Sequence, residues 1–150
     1  MASRLGADVP FFLSGGTARA RGIGERLSEI DCRMDWRYLL FKEGSKPSTK
    51  EMYDRLDGTD YPKPDIDAVE NALREGNAEE FFAVTDNSFS ALWPETETES
   101  LLTKLGARCV LLSGSGPTRF AVFPDAGSAG NACEKLKEIG IGCTVTNPVA

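Results

Sequence analysis

The hydrophobic pattern is most regular in residues 109–123, where two short apolar runs flank a group of small residues. The runs are residues 110–112 and 120–123, and Ser-Gly-Ser-Gly-Pro at 113–117 separates them. Apolar runs this short, bounded by glycine and proline, are typical of buried strands rather than helices. The pattern therefore predicts two strands joined by a turn, which either only closes a hairpin or also presents amide N–H groups to an anion.

Five helices are predicted from apolar residues at helical spacing. Their starts are marked by a cap at Ser48 or Thr49, by Asp65, by Asn77 with Glu80, by Pro94 and by Asp125. The third helix is expected to carry on one face Phe81, Phe82, Thr85 and Phe89. The last is expected to carry on one face Ala129, Ala132, Cys133, Leu136 and Ile139.

Outside the helices, strands are predicted at residues 17–21, 36–42 and 143–146. Residues 7–10 are predicted to be extended or a turn, because the residue before a proline avoids the helical region. Residues 28–31 are interpreted as a connector, and the pattern places a domain boundary between Glu25 and Asp35.

From residue 36 onward, the predicted order is strand, several helices, strand, strand, helix, strand. This is the β-α-β-β-α-β order of the split, ferredoxin-like arrangement, with extra helices in the first crossover. The predicted fold class is therefore α+β, an antiparallel sheet with helices on one side.

Composition excludes several classes of function. A net charge of -6 and a pI near 4.8 argue against nucleic-acid and membrane-surface binding. No signal peptide or membrane-spanning run is present in the sequence, which predicts a cytoplasmic protein. The length of 150 residues suits one domain, or one domain with a piece of another.

The types of side chain present exclude further kinds of catalytic and metal site. The chain has no histidine, which excludes His-based acid–base catalysis and most zinc sites, and no metal site is predicted. The cysteines are scattered without a CxxC pair, and we expect free thiols in a reducing compartment. They are Cys32, Cys109, Cys133 and Cys143.

Four stretches resemble the GHMP small-molecule kinases, and the resemblance covers nearly the whole chain. LGADVPFFL, followed by a Gly-Gly turn and GIGERL, resembles the segment around the family's catalytic aspartate. KPSTKEMY resembles its substrate-side segment, and SGSGPTRFAVF its third motif. The stretches DNSF and WPE resemble the helical region before the last sheet. Arg119, where the family usually has an apolar residue, and Glu43 and Pro47 in the substrate loop depart from the pattern.

The resemblance implies that residues 1–30 are a piece of the family's N-terminal domain and residues 31–150 its C-terminal domain. Nothing in the chain matches the family's Gly/Ser-rich ATP loop, so the chain is expected to be an inactive fragment. A complete enzyme would use ATP and Mg²⁺, with neither bound to this chain alone. Its implied substrate is a small molecule, a cytidine-diphosphate-linked sugar alcohol. The alternatives are another GHMP substrate, of homoserine or mevalonate type, and a non-catalytic ferredoxin-like ligand-binding module.

By the same resemblance, Asp8 is the catalytic residue, although an aspartate there can equally serve only an Asx-turn. Gly114, Ser115 and Gly116 are implied to lie against the substrate and phosphate region.

Two residues near position 50 complete the implied substrate site. Tyr53 is implied to stack on the cytosine base, the alternative being a core tyrosine. Thr49 either faces the substrate or only caps its helix.

The N-terminal segment carries two further expectations. Arg19 and Arg21 alternate on one strand, and either contact a phosphate or form a solvated face. Because a strand at 17–21 without a partner would leave open edges, residues 1–25 are also predicted to form a homodimer.

Overall fold

A computed structural model describes residues 9–32, 34–61 and 63–148, with the side chains of Pro10 and Ser14 left out. Within these ranges the chain forms six helices, six strands and one 3-10 helix. The helices are α1 (Val9–Ser14), α2 (Thr49–Asp57), α3 (Ile66–Glu75), α4 (Ala78–Val84), α5 (Glu97–Lys104) and α6 (Ala126–Glu138), with the 3-10 helix at Ser88–Leu92. The strands are β1 (Ala18–Arg21), β2 (Arg26–Glu29), β3 (Arg37–Lys42), β4 (Cys109–Leu112), β5 (Thr118–Phe123) and β6 (Cys143–Thr146).

The main sheet confirms the predicted α+β class. Its four strands lie in the order β4-β5-β3-β6, and every neighbouring pair is antiparallel. The order along the chain is β3, four α-helices with the 3-10 helix among them, β4, β5, α6 and β6, so the extra helices lie in the first crossover as predicted.

The core lies on one face of this sheet. Leu39 and Phe41 point into it from β3, whereas Leu40 between them is 37% exposed, as the two-residue period of a strand requires. A larger cluster joins these side chains to α5 and α6, including Leu102, Phe123 and Leu136. A smaller cluster contains Met52, Leu56, Phe89 and Leu112, and it attaches α2 and the 3-10 helix to the end of β4.

The start of α2 is at one of the two predicted caps, and two other helix boundaries differ from the prediction. The side chain of Ser48 accepts the hydrogen bond that caps α2, so Thr49 is not the cap. Helix α4 stops at Val84, and Phe89 belongs to the separate 3-10 helix, because the Asn87 side chain caps a new start there. Helix α5 begins at Glu97 rather than Pro94, because Thr96 and Glu99 form a capping box.

One apolar residue and one N-terminal segment were also assigned wrongly. Ile139, expected on the buried face of the last helix, is the C-cap of α6 and is 59% exposed. Val9 and Pro10, expected to be extended, open helix α1. A proline is tolerated in the first helical turn because its missing N–H has no partner within the helix.

Residues 26–29 form strand β2, where a connector was expected from residue 28 onward. Strand β2 pairs antiparallel with β1, with Ala18 opposite Glu29 and Arg21 opposite Arg26. The predicted strand at 17–21 is confirmed, but it has a partner within the chain. The domain boundary between residues 25 and 35 stays a prediction.

Ion pairs attach this hairpin to helix α3. The Arg19 guanidinium binds Asp67 and Glu70, and Arg74 donates to the Glu29 carbonyl at 3.2 Å. The hydrogen bond from Arg19 lowers the pKa of Asp67, and hydrogen bonds from Arg74 and Arg19 lower the pKa of Glu70. Two carboxylates therefore pair with the Arg19 guanidinium, so Arg19 neither contacts a phosphate nor forms part of a solvated face, the two predicted alternatives.

Candidate substrate-binding site

The turn between β4 and β5 is closed by backbone hydrogen bonds. Ser113 N–H donates to the Thr118 carbonyl at 2.8 Å, and Gly116 N–H donates to the Ser113 carbonyl at 3.0 Å. Among the residues the structure describes, the Gly114 and Ser115 amides have no acceptor. The turn thus closes a hairpin and also leaves two neighbouring N–H groups available, so the two predicted roles are compatible.

Asn87 holds this turn in place. Its side-chain amide donates to the Leu112 carbonyl at 2.9 Å and to the Gly114 carbonyl at 2.8 Å. Its carbonyl oxygen accepts from Phe89 N–H at 2.9 Å. One carboxamide therefore connects the turn to the start of the 3-10 helix. The sequence analysis did not identify this role, because the bonded residues lie 25 and 27 positions away.

Lys46 is a second residue that the sequence analysis missed. Its ammonium donates to Ser115 Oγ at 2.5 Å and to Thr49 Oγ1 at 3.3 Å. It forms none of the ion pairs found in the described part of the chain. A cation beside two open amides and two hydroxyls has the donors that a phosphate group requires.

Tyr53 lies one helical turn beyond Thr49, and its side chain is not buried. The residue is 55% exposed, and its ring contacts Phe89 edge-on with centroids 4.9 Å apart. The alternative of a core tyrosine is therefore wrong. The ring lines an open groove of about 490 Å³ that Tyr61, Asn87 and Phe120 also line.

Thr49 and Tyr53 lie one turn apart on helix α2. Residues four positions apart on a helix share one face and are separated by about 6 Å along its axis. Thr49 is next to the Lys46 ammonium, and Tyr53 is the next residue along that face. The arrangement offers hydrogen-bond donors at one end and an aromatic ring at the other.

Two departures from the family pattern have structural roles. Arg119 is only 3% exposed, and its guanidinium binds Glu99 at 2.6 Å and donates to the Pro94 carbonyl at 3.0 Å. The Glu43 carboxylate accepts from the hydroxyls of Thr96 at 3.1 Å and Thr98 at 2.7 Å. Both side chains therefore secure the start of α5.

Asp8, the predicted catalytic residue, lies outside the described residues. Residues 9–32, 34–61 and 63–148 contain no group of three or more acidic, cysteine or histidine side chains that could hold a metal ion. They also contain no helix long and apolar enough to cross a membrane.

No protein-family model matches the chain. A 4-diphosphocytidyl-2-C-methyl-D-erythritol kinase of Streptomyces coelicolor is 38% identical over 146 residues, covering 91% of this chain and 49% of the relative. A kinase of the same name from Deinococcus radiodurans is 37% identical, covering 97% of this chain and 50% of the relative. The chain thus spans about half the length of the curated relatives it matches.

Solved structures agree with these relatives. A crystal structure of 4-(cytidine 5'-diphospho)-2C-methyl-D-erythritol kinase superposes with a TM-score of 0.72 at 31% identity, covering 98% of this chain and 54% of that one. Homoserine kinase from Cytophaga hutchinsonii has a TM-score of 0.65 at 16% identity, covering 91% of this chain and 49% of that one, which shows the fold alone. The sequence and fold together place this chain in the GHMP kinase family, where it matches the C-terminal part of the 4-diphosphocytidyl-2-C-methyl-D-erythritol kinases.

Proposed function

We propose that this chain supplies the substrate-binding side of an ATP-dependent kinase that phosphorylates the 2-hydroxyl of 4-diphosphocytidyl-2-C-methyl-D-erythritol. The observation that carries the proposal is the Lys46 ammonium, which lies 2.5 Å from Ser115 Oγ and 3.3 Å from the hydroxyl of Thr49, with the exposed Tyr53 one helical turn further along α2. A nucleoside diphosphate presents a charged group to such donors and a flat base to such a ring. The names of the relatives supply the identity of the nucleotide.

Each end of the site has its own task. The Tyr53 ring stacks on the cytosine base, which needs only a flat π-face. The diphosphate accepts hydrogen bonds from the Lys46 ammonium, the Thr49 hydroxyl and the open amides of Gly114 and Ser115. Gly116 keeps the turn in the conformation that exposes those amides. With the base and the diphosphate bound in this way, the sugar alcohol extends towards the catalytic side of a complete enzyme.

The phosphoryl transfer itself needs groups beyond the described residues. By resemblance, Asp8 accepts the proton of the attacking hydroxyl, and ATP with Mg²⁺ provides the phosphoryl group. Residues 9–32, 34–61 and 63–148 do not fit ATP or Mg²⁺, because they contain neither a phosphate loop before a helix nor a metal-binding cluster. We therefore propose that these 150 residues alone have no kinase activity.

Calorimetry with the chain tests the proposed function. We expect 4-diphosphocytidyl-2-C-methyl-D-erythritol to bind, and homoserine and mevalonate not to bind. Tighter binding of homoserine or mevalonate would assign the chain to another GHMP substrate. Binding of none of the three would favour a non-catalytic module, and so would an Asp8→Asn variant of a complete enzyme with unchanged kcat.

Replacing Tyr53 with alanine is expected to weaken binding of cytidine 5′-diphosphate about tenfold or more, because stacking contributes roughly 1–3 kcal/mol per base. The matched control is Tyr53→Phe, which keeps the ring and is expected to bind nearly as well as the original protein. Calorimetric titration of the three proteins measures the difference. Equal affinities for the alanine and phenylalanine variants would show that the Tyr53 ring does not stack on the base.

Lys46→Met is expected to lower the affinity for cytidine 5′-diphosphate about tenfold or more, since a hydrogen bond to a charged group contributes roughly 1.5–3 kcal/mol. The affinity for uncharged cytidine should not change. Lys50→Met is the matched control, because Lys50 lies four positions further along the chain, on helix α2, is exposed and pairs with Asp54 at 2.8 Å. If both lysine variants lost affinity equally, the effect would come from overall charge rather than from Lys46.

We also propose that a second copy of the chain pairs with the β1–β2 hairpin. Within the described residues these strands pair only with each other, which leaves both outer edges open. Phe12, Leu13 and Ile23 nearby are each more than three-quarters exposed, at 79%, 76% and 78%.

Sedimentation velocity is expected to show a dimer whose fraction rises with concentration and falls in an Ile23→Lys variant. The control is Ile139→Lys, which replaces an exposed apolar residue on α6 and should leave the dimer unchanged. A single monomeric species at every concentration would refute the proposed pairing.

A further inference from the structure

Two of the four cysteines lie side by side between α6 and β6. Cys133 Sγ and Cys143 Sγ are 2.8 Å apart, and the Cys143 thiol donates to the Cys133 carbonyl at 3.2 Å. A disulfide bond is about 2.05 Å long, so the sulfur atoms need to approach by less than 1 Å to be joined. Both thiols are free in this structure.

The pair lies beside an open groove of about 360 Å³ that is separate from the substrate-binding site. Gly130, Glu134 and Lys137 of α6 and Thr144 of β6 line the groove together with the two cysteines. Cys133 is 6% exposed, whereas Cys143 is half-buried on an edge strand of the sheet. A small reagent in the groove therefore reaches Cys143 first.

We propose that Cys133 and Cys143 form a site of reversible oxidation whose oxidant is a low-molecular-weight disulfide. The Cys143 thiolate, having lost its proton to solvent, attacks one sulfur of the reagent and releases the other as a thiol. The Cys133 thiol then loses its proton and displaces the second reagent thiol from Cys143. The balance is two protein thiols and one reagent disulfide converted into one protein disulfide and two reagent thiols.

The surroundings of Cys143 set the pH dependence of the first step. Burial is the main cause that raises the pKa of its thiol to about 11. The neighbouring Cys133 also raises this pKa, and the Lys137 ammonium lowers it. Strand β3 presents Phe41, which carries no charge, opposite Cys143. Since only the thiolate attacks, the oxidation rate should rise about tenfold per pH unit between pH 7 and pH 10.

The disulfide would tie the edge strand β6 to the helix that covers the sheet. It would close a short loop, because the two cysteines are ten positions apart. Closing a loop of that length restricts the unfolded chain, and we expect the oxidised protein to have a Tm higher by about 5 °C or more. The groove shares no lining residue with the groove beside Tyr53, so binding of cytidine 5′-diphosphate should not change.

The test is incubation of the chain with oxidised glutathione, followed by acid quenching, denaturation, alkylation and peptide mass mapping. We expect a Cys133–Cys143 crosslink, with Cys32 and Cys109 alkylated and the crosslink reversed by dithiothreitol. A Cys143→Ser variant should form no crosslink, and Cys133→Ala should stop at a glutathione adduct on Cys143. The control Cys32→Ser should crosslink as the original protein does.

Four alkylated cysteines after prolonged incubation at pH 9 would overturn the proposal. A stable glutathione adduct on Cys143 in the original protein, or a crosslink through Cys32 or Cys109, would overturn it as well. These outcomes are independent of the proposed function, because none of them involves the nucleotide.

Discussion

Gly116→Ala is expected to lower the free energy of unfolding by about 3 kcal/mol or more, through strain and overpacking together. Gly116 has a φ of 79°, a conformation that L side chains rarely adopt. A β-carbon there would lie 2.9 Å from two atoms of the Trp93 ring and 3.0 Å from Leu112 Cδ1. A rigid ring and a buried leucine cannot both move aside without disturbing the turn and the smaller core cluster.

Gly114→Ala is the matched control for this substitution. Gly114 also has a positive φ, of 55°, but a β-carbon there meets nothing within 4 Å. Only the backbone strain of about 1–2 kcal/mol then applies. We expect Gly114→Ala to remain folded and to bind cytidine 5′-diphosphate more weakly, because we propose that the diphosphate binds to the amides of this turn. Urea unfolding followed by circular dichroism measures both variants, and equal losses would contradict the packing argument.

Arg119→Ala is expected to destabilise the protein by about 3–5 kcal/mol, the usual cost of removing one partner of a buried ion pair. The substitution leaves Glu99 without its cation and the Pro94 carbonyl without its donor. It also removes the guanidinium that lies 5.8 Å from the centre of the Trp93 ring. Urea unfolding measures the loss.

The control for Arg119 is Arg55→Ala. Arg55 pairs with Glu51 at 2.7 Å on the surface of α2, and both side chains are about half exposed. A surface pair of this kind contributes roughly 0.3–0.5 kcal/mol. A comparable loss in the two variants would mean that burial does not distinguish these ion pairs and that Arg119 is not a structural anchor.

Local signals were enough to predict the elements that build the main sheet. The apolar runs on either side of residues 113–117 and the cap at Asp125 each act within a few residues. The order of these elements then indicated the split arrangement, which the strand order confirms. Capping geometry decided the boundaries that were wrong, since Asn87 begins a new segment where periodicity alone continued the old one. Thr96, rather than Pro94, sets the start of α5.

The site was harder to predict from the sequence, because its contacts join distant parts of the chain. Lys46 and Ser115 are 69 positions apart, and although the stretch KPSTKEMY begins with Lys46, its resemblance to the substrate-side segment assigned that lysine no role. The exposure of Tyr53 depends on how α2 packs against the 3-10 helix, which periodicity does not specify. The proximity of Cys133 and Cys143 likewise follows from α6 lying against β6.

An amide NMR titration of the chain with cytidine 5′-diphosphate tests the central claim most directly. We predict saturable shifts of the Gly114 and Ser115 amides, accompanied by those of Thr49 and Tyr53, while the amides around Cys133 and Cys143 remain in place. Shifts confined to other surfaces, or no saturable shift up to about 10 mM nucleotide, would contradict the assignment of this turn and helix as the nucleotide site.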